Sequence, residues 1–243
     1  MTTVSTPREP TVDGPPTGPV PLAGWLATLL VVGTSAAVLV LEILAGRLLA
    51  PYVGVSLNTY TGIIGTVLVG IAIGAWLGGV AADRFDPRRL IPLLLIAGGA
   101  LAIATIPTIR AIGNAGTTSS IGTIMVLTSI GFLPTATVLS AVPPAVVKLQ
   151  LDDLASTGST VGRLSAYGTA GAIVATFLTG FVLVAIAAVT TLITGVGVLL
   201  VAGGLALWIT LPRPSRRSTA AAVTSMSAVA GAPLVAATAR GSP

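Results

Sequence analysis

The sequence predicts an all-α integral membrane protein of six transmembrane helices. Charged residues are only 8 % of the 243, against about 25 % in a soluble domain. Hydrophobic residues make up 53 % and the mean hydropathy is +1.00, too little polar material to cover a soluble fold of this size. The few charges also cut the chain into uncharged runs long enough to cross a bilayer.

Those runs define the helices in order. Gly14–Leu41 is 28 residues long, with its apolar part starting near Leu22. Leu48–Ala82 is 35 residues, Leu90–Ile109 is 20, Ala111–Val147 is 37 and Leu164–Pro212 is 49. One pass takes about 20 apolar residues at about 1.5 Å each. The last run would reach roughly 73 Å as one helix, so it crosses twice, turning near Ala187–Thr191. The expected helices are 22–45, 58–82, 90–109, 121–147, 160–186 and 190–211. The runs are continuous, with no period-two alternation, which argues against a β-barrel. The first run lies behind a polar tail and is too long for a signal peptide.

Absences narrow the chemistry. There is no Cys and no His, so thiolate metal sites, cysteine nucleophiles, imidazole bases and most hydrolytic triads are excluded. No catalytic residue, metal site or cofactor is expected. The net charge of +5 comes from 12 scattered basic residues that form no stripe for nucleic acid. Their distribution is topological instead. With the N-terminus inside, the cytoplasmic segments carry Arg8, Arg84, Arg88, Arg89, Lys148, Arg163, Arg213, Arg216 and Arg217, while the opposite side carries Arg47 and Arg110. The expectation is a multi-pass protein of the cell membrane with both termini cytoplasmic.

The ends differ in composition from the core at 22–211. Residues 1–21 hold six Pro and several Thr, the composition of a disordered tail. Residues 212–243 read as a flexible Ala/Ser/Thr-rich tail. Its uncharged stretch from Ser218 to Ala239 contains several Ser and Thr, a Gly and a Pro, which makes it a poor seventh span.

Four features stand out within the spans and loops. Gly70, Gly74 and Gly78 lie four apart on the second helix, a face where another backbone can approach closely, within the bundle or in a dimer. Glu42 is the one acid in an apolar stretch, with Arg47 five residues on. A carboxyl there binds a cation, carries a proton or forms an ion pair. Pro134, Pro143 and Pro144 interrupt the fourth helix, and each removes an amide donor. Such breaks line substrate paths or serve as plain kinks. The loop after the second helix reads Gly79, then Asp83-Arg84, then Arg88-Arg89. The Asp83 carboxylate can cap a neighbouring helix start, and the arginines hold the inner face.

That loop resembles the signature loop of the major facilitator superfamily, with Asp86 where the motif prefers glycine. Two longer stretches, Leu41–Gly54 running into Thr59–Gly65, and Gly162–Gly171 followed by Thr176–Phe181, resemble the membrane domain of fused major-facilitator/spermidine-synthase proteins. Ser140–Leu149 fits the same pattern, with Pro143 where a small residue is usual. The resemblance covers about residues 24–211 and implies one six-helix half of a transporter, which in that family is joined to a polyamine aminopropyltransferase domain. That domain would need a glycine-rich nucleotide loop after a strand and acids for cationic amines. The 32 residues after Leu211 match neither, and the adjacent acids Asp152 and Asp153 read as a short water-facing loop.

The resemblance therefore implies a non-catalytic membrane module that anchors or serves an aminopropyltransferase on another chain. The alternative is a half-size transporter of polyamines or other cations, working as a homodimer. The lipid bilayer is a partner in either case. A membrane-embedded enzyme is not expected, because one intramembrane acid without His or Cys assembles no catalytic constellation.

Overall fold

The computed structural model describes residues 23–114, 120–150 and 157–210. The expectations for the two tails, for a helix from Ser218 and for Asp152 and Asp153 fall outside the described residues. Six helical stretches are long and apolar enough to cross a membrane, and no strand occurs among the described residues. The helices belong to one compact unit ending at Ile209.

The first span is α1 (Gly24–Val53), which continues well past the expected end near residue 45. Arg47 stays helical because it sits on an exposed face, and Pro51 falls in the last turn. The helix stops at Gly54, whose φ of 76° is open to glycine and costly for other residues. Ser56 then caps α2 (Leu57–Arg84): its hydroxyl accepts the Thr59 N–H at 3.2 Å, filling one of the free donors of a helix start.

The third span, α3 (Pro87–Gly113), begins three residues before the expected position. Asp86 is its N-cap, accepting the Arg88 N–H at 3.0 Å, and Pro87 follows in the first turn. This is a favoured start, since proline has no amide to leave unsatisfied there. The cap expected from Asp83 is therefore made by Asp86.

The fourth span is α4 (Ile121–Ser140) followed by α5 (Val142–Gln150). Of the three prolines, Pro134 stays inside α4 without a break. The carbonyl that loses its donor there is that of Ile130, four residues back; the neighbouring Gly131 carbonyl accepts a 2.8 Å hydrogen bond from Thr105 of α3, which ties this stretch of α4 into the bundle. The interruption falls at Ala141 instead. Pro143 and Pro144 cannot donate to the carbonyls of Leu139 and Ser140, so two consecutive rungs of the ladder are missing.

The fifth span is α6 (Thr157–Leu178), a π-helical turn at Thr179–Leu183 and the short α7 (Val184–Ile186). The chain turns at residues 187–188 and returns as α8 (Val189–Thr210). The π turn has no signal in the sequence.

Lipid-facing helices gain nothing from burying apolar surface against one another, so close packing and hydrogen bonds decide which pairs form. The largest contact is α2 on α4. It follows one stripe, Gly62, Thr66, Gly70, Gly74 and Gly78, all buried and each four residues from the next. Gly70 faces Ala136, Gly74 faces the Thr137 carbonyl and Gly78 faces the backbone of Ala141. Thr66 and Thr128 share a buried 3.0 Å hydroxyl hydrogen bond.

The second largest contact, α6 on α1, uses the same device, with Gly168 against Val31 and Ser35 and Gly171 against Val32. The third and sixth spans meet at Gly99 and Gly197. If spans one, two and three are exchanged for four, five and six, the two–four contact becomes five–one, while one–four and three–six map onto themselves. Three passes reverse direction, so the two halves, spans one to three and four to six, run in opposite senses.

Candidate functional site

A half-open cavity of about 590 Å³ lies where the two halves meet. It is bounded by the first, second, fourth and fifth spans, a size and placement typical of small-molecule sites. The walls are mostly aliphatic. Thr34, Ser35, Ser140, Ser165 and Thr169 supply hydroxyls, and among the described residues no charged one lines the space. Thr169 donates to the Ser165 carbonyl at 3.0 Å, so it satisfies itself along its own helix. Pro143 and Pro144 are in the wall. The helix interruption at Ala141 therefore falls beside the cavity, where the Leu139 and Ser140 carbonyls lack their usual donors.

Glu42 does not line this cavity. It borders a second, water-sized void of about 10 Å³ between α1, α2 and α4, shared with Thr135 and with Val38, Leu41, Val67 and Leu139 among others. The ion pair expected with Arg47 is not formed. Asp83 does pair, with Lys148, whereas Arg47 is exposed. The reason is helical geometry: five residues turn the direction by roughly 500°, so the two side chains leave α1 about 140° apart. Thr135 is 2 % exposed and its hydroxyl has no hydrogen-bond partner, which is unusual, since buried polar atoms are nearly always paired.

At one end of the bundle, Lys148 and Asp83 meet at 2.5 Å, with Asp83 largely exposed. An exposed pair of this kind contributes little to stability. It does join the loop after α2 to the end of α5, and so places Arg84, Arg88, Arg89 and Lys148 on one side. Arg47 and Arg110 lie toward the other side, where Tyr52 packs on Gly113.

Gly70, Gly74 and Gly78 face α4, and that surface is already occupied within the chain. Sequence reasoning missed Gly62 and Thr66 as members of the same stripe, although the spacing of four was there to be counted. It also missed Val38, Thr135 and Leu139 around Glu42. Nothing in their residue types marks them, because only the folded bundle brings α1 against α4.

No protein-family model, curated protein or solved structure matches this chain.

Proposed function

We propose that the chain is a half-size membrane transporter of small organic cations that works as a homodimer. The observation carrying this reading is the half-open cavity at the junction of two three-span halves, the position where transporters built from repeats hold their solute. The second and fifth spans both line it, and the fifth is the least buried of the six. A second copy placed there closes the path. The lining sets the solute class. Aliphatic walls with hydroxyls and carbonyls suit a mostly apolar body with one donor group, whereas a polyamine needs several carboxylates in place.

Ligand-dependent stability in detergent tests this with three probes. Phenethylamine and its neutral analogue 2-phenylethanol raise the melting midpoint, by roughly 5–11 °C at about a hundred times Kd, and spermidine does not. Stabilisation by spermidine alone, or by none of the three, overturns the reading.

The resemblance to spermidine-synthase fusions favours a second reading, a membrane anchor for an aminopropyltransferase on another chain. An anchor has no use for a solute site, so it predicts that none of the three compounds binds. In neither reading does this chain carry out aminopropyl transfer.

The proposed location is the cell membrane with both termini cytoplasmic, supported by the nine-to-two division of basic residues. Reporter fusions after Ala111 and after Ser218 give opposite sidedness. The same sidedness for both breaks the topology.

A further inference from the structure

We infer that Glu42 and Thr135 form a subsite for a single ammonium-sized cation, divided from the large cavity by a gate made of Val38 and Leu139. The inference rests on the proposed solute cavity and extends it to the group that reads the charge.

Val38 and Leu139 border both spaces, the large cavity on one side and the water-sized void on the other. Val38 is four residues before Glu42 on α1, and Leu139 is four residues after Thr135 on α4. Residues four apart share a helix face. The two helices therefore present an apolar layer, Val38 with Leu139, one turn from a polar layer, Glu42 with Thr135. Leu139 and Val38 are buried, so the passage between the two spaces is closed on this side, while Glu42 itself is half-buried.

Behind the gate, the space of about 10 Å³ is the room of about one water molecule, and an ammonium group is of similar size. An ammonium has three donors and no acceptor. The carboxylate offers two acceptor oxygens and the unpartnered Thr135 hydroxyl a third. Every other lining residue is apolar. From α2 the side chain facing this space is Val67, and from α4 none of those facing it is charged, so no protein cation competes. Divalent metals suit the site poorly, since Ca²⁺ takes six to eight oxygens and Mg²⁺ six.

The gate also has a natural place to move. Leu139 lies just before the interruption at Ala141, where Pro143 and Pro144 remove two successive backbone hydrogen bonds. Bending there shifts Leu139 without breaking an intact helical ladder. A monoamine with an apolar body thus sits in the large cavity and passes its charged head between Val38 and Leu139 to Glu42.

Two measurements test this. The chain has no cysteine, so single substitutions report accessibility cleanly, with 2-aminoethyl methanethiosulfonate as the ammonium-bearing probe. Ser35→Cys, on the cavity wall, reacts readily, and Glu42→Cys reacts about tenfold more slowly or less. Adding Leu139→Ala, or Val38→Ala if the first variant folds poorly, brings the Glu42→Cys rate up to that of Ser35→Cys. Fast labelling of Glu42→Cys behind an intact gate, or no acceleration by either alanine, overturns the gate. An unreactive Ser35→Cys overturns the solute cavity itself. In binding, Glu42→Gln weakens phenethylamine about tenfold and leaves 2-phenylethanol unchanged. Equal loss of both ligands, or of neither, overturns the cation subsite, whereas binding of neither ligand by the parent protein overturns the cavity.

Discussion

Gly74→Leu strongly destabilises the folded bundle. A Cβ at this position would meet the Thr137 carbonyl at a separation no real side chain shows, with the Ser140 Cβ 3.0 Å away on the other side. The nearest obstacle is helix backbone and cannot rotate aside as a side-chain tip can. Inserting a leucine therefore separates α2 from α4 along the whole stripe from Gly62 to Gly78, an extensive helix contact. Overpacking of this kind costs about 3 kcal/mol or more, which for a chain of this size lowers the midpoint by roughly 6–12 °C. The expected result is loss of monodisperse protein in detergent, or a melting midpoint reduced by that amount. Gly79→Ala, five residues along the same helix, is the control. Nothing lies within 4 Å of a Cβ there, and the change stabilises by about 0.5–1 kcal/mol because alanine loses less backbone freedom in a helix. A Gly74→Leu protein that melts within about 1 °C of the parent would show that the α2–α4 seam is not close-packed.

Ser165→Trp abolishes solute binding while leaving the fold intact. Ser165 is on the exposed side of α6 and lines the cavity. An indole there occupies space the ligand needs and meets no close-packed neighbour. Binding of 2-phenylethanol and phenethylamine falls beyond detection, about a hundredfold or more, equivalent to about 2.7 kcal/mol. The melting midpoint without ligand stays within about 2 °C, as for surface substitutions in general. Val174→Trp on the same helix is the control, because Val174 is 64 % exposed and does not line the cavity. Unchanged affinity in Ser165→Trp, with the fold retained, would place the binding site elsewhere.

Much of the architecture was legible in the sequence. Hydropathy, charge spacing and the 1.5 Å rise per residue gave six helices, and the turn in the long last run falls at residues 187–188, at the edge of the expected 187–191. Helix ends were less legible. Charge was taken as the stop signal, yet α1 runs through Glu42 and Arg47 and ends at Gly54, and α3 starts where Asp86 and Pro87 make a cap. Capping is a local three-dimensional arrangement that outweighs the cost of one exposed charge near a helix end. The prolines show the same division. Their residue type shows that amide donors are missing, but only the structure shows that the single Pro134 stays inside a continuous helix while the paired Pro143 and Pro144 adjoin an interruption.

The sequence by itself determined that the chain forms apolar helices, how many there are, where their glycine faces lie and that one carboxyl stands alone among them. These are properties of composition and of helical spacing, readable one residue at a time. Only the tertiary structure decided what each face meets. It set Gly70, Gly74 and Gly78 against α4, put Thr135 rather than Arg47 beside the void that Glu42 borders, and made Val38 and Leu139 the wall between that void and the large cavity. Position around a helix axis carries no partner's name. When apolar surface is equally content in lipid or against protein, the choice of neighbour is made by close fit and hydrogen bonding across chain segments far apart in sequence.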